Sequence, residues 1–581
     1  MDAEIFYIVV GAVAVAAIAR WRGWPAPLLV TVVALAASFL PFIPALQIDG
    51  HTLLSVVLPP LLYSAALDSS YVSFSRSLPQ IRRLGIGLVL VTAAAVGLVA
   101  WLLMPSLTLP GALLLGAIVA PPDAVSAAAI GRKLGLPRRI MTVLSGESLI
   151  NDATSLTLYR VFAAIIAGAT LSVWDGIWQF LVAVVVGVGV GLLFGVGLHQ
   201  LRVRVSDPVV NGTFGLLAPF GAYAIAEHLL GSGVLAVVAM GLYVGYNSPA
   251  TSYTTRLQEK PLWLSADFLL ESFVFAYIGL QLPRVISEME AGSTGAVLGL
   301  SLVVLLVVLI VRPIFVYPAH AWGHMWQRRR VRDWEQAKDS GRLDEWAART
   351  EARGRRFRHP RTEKQMQQRL VERNLSWQDN AVISWAGMRG VVTLATAIAA
   401  SDLEGLTTQA KHAIVVVAFV VTVGTLLLQG LTLPTLIRRL GIVNETDELE
   451  DAREVEAVRA RSREAGKAYL RAQRKQWQEE RGDVGVAAFD AFAKRLVRVE
   501  SDAEGTRKDD MRPSYAAFAT MSRGWLDVRR KLVVDERDAG NLNEEVMRSF
   551  IDELDAEELT LDTRGALHPP EPDARQSPES E

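Results

Sequence analysis

The sequence predicts an all-α polytopic membrane protein of about 13 transmembrane helices, followed by a soluble helical C-terminal tail. Three observations predict it. From Ile5 to about Leu440, apolar runs long enough to cross a bilayer alternate with short polar loops. Lys and Arg concentrate in every second loop. From Gly441 to Glu581 the chain is rich in Glu, Asp, Arg and Lys and holds no spanning run. The 581 residues are 51% hydrophobic, an average over two unlike regimes, and the net charge of −1 describes neither of them. There are no cysteines, which excludes disulfides, zinc–thiolate sites and thiol catalysis.

The apolar segments lie near residues 5–20, 25–46, 52–69, 81–104, 109–134, 139–168, 173–203, 210–230, 231–247, 258–282, 295–322, 376–400 and 411–438. The first follows Met1-Asp2-Ala3-Glu4, which lacks a basic start and a small-residue cleavage site, so it reads as a retained helix. Arg20 and Arg22 follow the first segment, and Arg76, Arg82 and Arg83 the third. Arg132, Lys133, Arg138 and Arg139 follow the fifth, Arg202 and Arg204 the seventh, Arg256 and Lys260 the ninth. The stretch 326–375 after the eleventh carries 15 Lys and Arg against 8 Asp and Glu. The intervening loops hold almost none. This alternation places the N-terminus outside and the tail in the cytoplasm of a multi-pass plasma-membrane protein.

Two parts result: a transmembrane domain over 1–440, with a basic cytoplasmic insert at 323–375, and a cytoplasmic tail over 441–581. The insert is either a helical loop that fixes topology or a surface for anionic lipid or for the tail. In the tail, Asp447 to Lys475 reads as one charged helix and Asp535 to Glu558 as two helices around Gly540-Asn541. From about 567 the composition predicts disorder.

The sixth segment contains Gly146-Glu147-Ser148-Leu149-Ile150-Asn151-Asp152. A charge at mid-membrane costs roughly 2.5–3.5 kcal/mol on insertion scales, so residues of this kind are usually functional. On a helix Ser148 and Asp152 share one face, and Glu147 and Asn151 share one. With no His or Cys among them, this oxygen-lined, titratable set suits hard monovalent cations and protons.

Two other segments are interrupted. Ala120-Pro121-Pro122-Asp123 loses two backbone donors to proline, so a continuous helix is not expected there. A simple proline kink with Asp123 on a surface is the plainer alternative. Ala386-Gly387-Met388-Arg389-Gly390 can unwind at its glycines and carries a cation deep in an apolar run. If repeats of about six segments are offset by seven, the two breaks correspond. Paired breaks point to inverted repeats with a site at the membrane midplane.

These motifs, together with Leu58-Pro59-Pro60-Leu61-Leu62-Tyr63, resemble the sodium/proton exchanger family, and within it the NhaP-type branch of monovalent cation:proton antiporters. The resemblance covers roughly residues 1–440. It implies an NhaA-like antiporter fold, in which a core domain moves against a dimerisation domain and two interrupted helices cross at one ion site. It implies that Asp152 binds cation and proton in turn, that Asp123 and Ser148 are Na+ ligands, and that a backbone carbonyl near Pro122 joins them. It implies that Glu147 pairs with Arg389. The chain departs from the family at Pro122-Asp123-Ala124, where relatives often carry Thr-Asp-Pro. It departs again at Tyr63-Ser64-Ala65, where animal members carry Phe-Asp-Ala.

Glu271 in the tenth segment and Arg312 in the eleventh also match family positions. A buried acid and base in adjacent segments are expected to pair, in a structural or a gating role. Asp68 either lines an access funnel or marks a helix end. His228 and His320 are given no transport role.

The expected activity is exchange of Na+ or Li+ for H+ by alternating access, serving pH and sodium homeostasis. One carboxylate cannot hold both ions, and the bare anion is too costly to carry across. Where relatives have two adjacent aspartates, this chain has Asn151 before Asp152. An amide does not titrate, so exchange is expected to be electroneutral, one for one. The same scaffold could prefer K+. A cation channel would need a ring of sites that is not visible here, and an organic-anion/Na+ symporter a roomier, less acidic site. No nucleophile–base pair or cofactor motif suggests an enzyme. No cofactor is expected; the expected partners are the transported ions, membrane lipids and a second copy of the chain, with no nucleic acid.

Overall fold

The structure is a computed structural model that describes residues 2–40, 43, 48–170, 173–205, 207–288, 294–340, 375–442, 445–499 and 515–567. The basic insert between 341 and 374, and the segment beyond 567 expected to be disordered, lie outside the described residues. The chain divides into two compact units, 1–444 and 445–581.

In chain order the first unit comprises α1 (Asp2–Arg22), α2 (Ala26–Ala37), α3 (Gly50–Asp68), α4 (Tyr71–Arg82), α5 (Val89–Leu103), α6 (Leu109–Val119), α7 (Ala124–Lys133) and α8 (Arg138–Ile166). It continues with α9 (Val173–Arg204), α10 (Pro208–His228), α11 (Gly233–Asn247), α12 (Tyr253–Leu280), α13 (Leu282–Glu288) and α14 (Thr294–Asp339). It ends with α15 (Trp377–Trp385), α16 (Val391–Ala400) and α17 (Thr408–Leu440). Each predicted apolar segment has a helix, or a pair of half-helices, at its place. Among the described residues, 10 helices are long and apolar enough to cross a membrane. Three shorter apolar helices, α2, α6 and α16, accompany them.

Local chemistry explains the boundaries. The helix α2 stops at Ala37, short of the expected 46, ahead of Pro41 and Pro44, neither of which can continue a helix. The α10–α11 division falls at Leu230, which has a positive φ of 61°, and Ser232 caps α11 by accepting from the Leu235 amide. The α14 helix runs to Asp339, beyond the expected 322, so the first part of the basic insert extends a membrane helix. The fourth segment begins earlier than expected, at Tyr71, and α4 passes into α5 through a π-helical stretch, Arg83–Leu88. Such stretches are frequent at functional positions. Here it presses Gly85 against α8, where an added Cβ would lie 2.9 Å from the Ile150 Cβ and 3.4 Å from the Asn151 nitrogen.

Packing gathers these helices into two groups. In one, α1 and α2 pack on α12, and α9 and α10 pack on α11, which lies along α3. Small residues allow the closest approaches: a Cβ on Gly191 would fall 2.1 Å from the Ala236 carbonyl oxygen. In the other, α6 packs between α5 and α8, while α14 packs on α5, α15 and α17. The half-helix α16 packs on α3, α6 and α17 and so touches both groups. Across the seam, Arg160 on α8 pairs with Glu227 on α10, which also accepts from the Gly233 amide at 2.8 Å.

The second unit consists of α18 (Glu445–Val499), kinked at Gly482, α19 (Tyr515–Asp538) and α20 (Glu544–Leu567). The charged helix and the helix pair around Gly540 are both present. Its core joins Val458, Leu470, Trp525, Val533, Phe550 and Leu554.

Candidate functional site

The two interrupted segments meet. Residues 120–123 separate α6 from α7, and residues 386–390 separate α15 from α16. The Asp123 amide donates to the Met388 carbonyl at 2.6 Å, which joins one break directly to the other. Each break leaves half-helix ends whose polar groups cannot turn to water inside a membrane. At the end of α6, the Ser155 hydroxyl donates to the Ala117 carbonyl at 2.8 Å. Arg389 donates from Nε to the Val119 carbonyl at 2.9 Å and from Nη2 to the Ala120 carbonyl at 3.2 Å. Its Nη1 donates to the Gly387 carbonyl. At the end of α15, Arg312 Nε donates to the Ile383 carbonyl at 2.9 Å. Each half-helix that ends at the site therefore carries a guanidinium on its negative end, as the helix dipole favours.

Anionic groups face the opposite ends. Asp123 stands at the start of α7 and accepts from the Ser126 hydroxyl at 2.8 Å. It also lies against the start of α16. A Cβ on Gly390 would fall 2.7 Å from the Asp123 Cγ, so only glycine fits here beside the carboxylate. Gly390 has φ −127°, which any residue can adopt; the requirement is for space.

The α8 helix supplies the rest. Asp152 is buried and lies within electrostatic reach of Asp123. Asn151, fully buried, donates from Nδ2 to the Pro122 carbonyl at 2.8 Å. That carbonyl, expected as an ion ligand, is thus engaged by an amide from α8. The Asn151 Oδ1 accepts no hydrogen bond among the described residues, which leaves a spare buried acceptor next to Asp152. Ser148 is partly buried one turn before Asp152. The plain-kink alternative for the first break is thereby set aside: both breaks belong to one polar centre.

Two pairings expected from the sequence are corrected. Glu147 does not take its ion pair from Arg389. Its two carboxylate oxygens accept from Arg312 Nη1 at 2.6 Å and Nη2 at 2.8 Å, a bidentate pair with both side chains almost fully buried. Gly387 makes room for it: a Cβ there would lie 2.7 Å from the Arg312 Cδ. Arg389 is close enough to feel both Glu147 and Arg312, but its hydrogen bonds go to backbone carbonyls. Arg312 consequently does not pair with Glu271. Their helices are separated in the chain only by the short α13, but α14 packs mainly on α5, α15 and α17, whereas α12 packs mainly on α1, α2 and α10.

Glu271 instead belongs to a line of acids approaching the breaks. It lies within electrostatic reach of Asp123 and of Asp267, one turn earlier on α12. Asp267 in turn reaches Asp68, which is exposed at the end of α3. Arg132 faces both Asp267 and Glu271. Asp267 was not singled out from the sequence, although its spacing of four from Glu271 puts both on one helical face. The Ser64 hydroxyl donates to it, which ties α12 to α3 at this point. Asp68, Asp267, Glu271 and Asp123 thus form a chain of acids, each within electrostatic reach of the next.

Comparison with known proteins follows the same outline. The family described as "Sodium/hydrogen exchanger, transmembrane" matches residues 5–439. The uncharacterized Na+/H+ exchanger Rv2287 of Mycobacterium tuberculosis (strain H37Rv) is 30% identical over 96% of this chain and 97% of its own. The Na+/H+ antiporter ApNhaP of Aphanothece halophytica is 28% identical over 73% of this chain and 71% of its own. Among solved structures, the sodium proton antiporter MjNhaP1 from Methanocaldococcus jannaschii at pH 8 superposes with a TM-score of 0.54 at 17% identity. That match covers 76% of this chain and 98% of the other, and it shows a shared fold.

Proposed function

This chain belongs to the sodium/hydrogen exchanger family and is a multi-pass membrane transporter; we propose that it exchanges Na+ or Li+ for H+, one for one, by alternating access, in pH and sodium homeostasis. The supporting observation is the charge balance around Asp152. Glu147 and Arg312 cancel in a bidentate pair. Arg389 and Asp123 stand at the same two joined breaks with opposite charge. Asn151 beside Asp152 is an amide. Asp152 is left as the one charge that a passenger must neutralise.

A bound Na+ or a bound proton neutralises it equally. Burial penalises the bare carboxylate more than either neutral form, so only the loaded or protonated site crosses the barrier. That rule alone couples the two fluxes. For Na+, the oxygens of Asp152, Asp123, Ser148 and Asn151 are of the hard type that alkali cations take. Removing the last ligand waters is offset by the half-helix dipoles and by two carboxylates held close together. On the side of the basic loops, read as cytoplasmic, Asp68, Asp267 and Glu271 would attract cations towards the breaks. The group containing α9 to α11 is read as the scaffold and dimer contact, and the group holding the breaks as the moving core. The tail is read as regulatory, since every residue of the site precedes it.

Proteoliposomes provide the test. A Na+ or Li+ gradient is expected to drive opposite proton movement, at an initial rate that an imposed membrane potential leaves unchanged once proton leak is controlled. A chain ending at Ile442 is expected to retain the exchange with an altered pH profile. Flux that follows the potential would mean a second proton per cycle. Flux with K+ alone would make this a K+/H+ exchanger, and a truncated protein that inserts but does not transport would end the reading of the tail as regulatory.

A further inference from the structure

On the side of the basic loops, α14 leaves the membrane region with His320, His324, Arg328 and Arg332 spaced by one turn along a single face. With Met325 and Leu375 they line a cleft of about 550 Å³. The same helix carries exposed Trp322 and Trp326, with the Arg329 guanidinium 5.7 Å from the Trp326 ring centre. Exposed tryptophans interleaved with arginine mark the headgroup layer of a bilayer. Helix rise agrees: Arg328 and Arg332 lie about 24–30 Å along α14 from the buried Arg312, beyond half of the roughly 30 Å hydrocarbon core.

Asp379, the acid within electrostatic reach of His320, is already satisfied. It pairs with Arg139 at 3.0 Å and closes the capping box of α15 with Ser376. The Arg83 guanidinium adds charge of the same sign, lying against Gly323 of α14. The cleft is therefore cationic, at headgroup depth, and open at Arg328 and Arg332, both exposed.

We infer that this cleft binds the headgroup of an anionic phospholipid, with Arg328 and Arg332 holding the phosphate and the exposed tryptophans bracketing the acyl–headgroup boundary. Arginine suits such a ligand because its planar fork matches phosphate oxygens. The site also adjoins the half-helix that leads into the second break: Tyr317 on α14 donates to the Trp377 carbonyl at 3.4 Å, at the start of α15. A headgroup seated here would brace α14 against α15 without touching Asp152.

The full chain, purified in detergent and examined by native mass spectrometry, tests this with phosphatidylglycerol and phosphatidylcholine at equal concentration. Phosphatidylglycerol is expected to be retained preferentially. In the Arg328→Gln/Arg332→Gln variant that preference should fall at least about tenfold, given the usual contribution of each basic residue near an anionic lipid. A control variant, Arg204→Gln/Lys260→Gln, removes two cations from other loops of the same side and should keep it. Millimolar inorganic phosphate should not displace the lipid. Equal loss in both variants would reduce the effect to general surface charge and overturn the site. Retention unchanged by Arg328→Gln/Arg332→Gln, or displacement by inorganic phosphate alone, would overturn it as well.

Discussion

Asp152→Asn is expected to abolish cation-dependent proton flux while leaving the protein folded. The side chain keeps its shape and loses its ability to hold a proton or a charge. Because Asp152 is buried with no ion-pair partner among the described residues, its removal leaves no stranded cation. Thermal stability should therefore hold or rise, since the cost of burying an anion disappears. Flux is the quantity that falls: with the carboxylate that couples the two ions gone, the rate should match that of protein-free vesicles. Folded protein with normal exchange would mean that the coupling resides elsewhere, and Asp123 would be the first residue to examine. The partial alternative is also informative. Na+ movement that survives without accompanying proton movement would show that Asp152 carries the proton and not the cation.

The second large effect is expected at Glu147 and Arg312. Their bidentate pair is almost wholly buried, so Glu147→Ala or Arg312→Ala alone strands a charge and should cost ~3–5 kcal/mol of stability. Glu147→Ala is the more severe of the two, because it leaves Arg312 and Arg389 facing each other without the intervening carboxylate. The Glu147→Ala/Arg312→Ala protein should lose clearly less than the sum of the two single losses, giving a large coupling in a double-mutant cycle. The corresponding cycle between Glu147 and Arg389 should show a smaller coupling, since Arg389 spends its donors on the Val119, Ala120 and Gly387 carbonyls. Equal coupling in the two cycles would contradict the hydrogen-bond assignment. Thermal unfolding in detergent reads both.

These pairings show where sequence reasoning reaches and where it stops. The breaks are legible because they are covalent facts: prolines 121 and 122 cannot donate, and glycines 387 and 390 carry no Cβ. The site residues of α8 are legible because helical spacing fixes which side chains share a face. The choice of partner is different. Glu147 lies within reach of two guanidiniums, and only side-chain geometry decides that Arg312 takes it while Arg389 turns to the end of α6. The expectation for Glu271 failed for a related reason: α12 and α14 are close in the chain but pack mainly on different helices. Asp267 was within reach of the sequence, one turn from Glu271 on the same helical face, but no sequence pattern marks its contact with Ser64. The π-helical stretch at Arg83–Leu88 has no equally plain signature, as it arises from the fit of Gly85 against α8.

The central claim is that one carboxylate holds Na+ and H+ in alternation. Equilibrium Na+ binding to the purified protein, measured across a range of pH, tests it most directly. If a single proton competes at Asp152, the apparent Kd for Na+ rises by about tenfold for each pH unit on the acid side and levels off on the alkaline side. Asp152→Asn should show no saturable Na+ binding at any of these pH values. A Kd that does not change with pH, or one that rises by about a hundredfold per unit, would contradict the account.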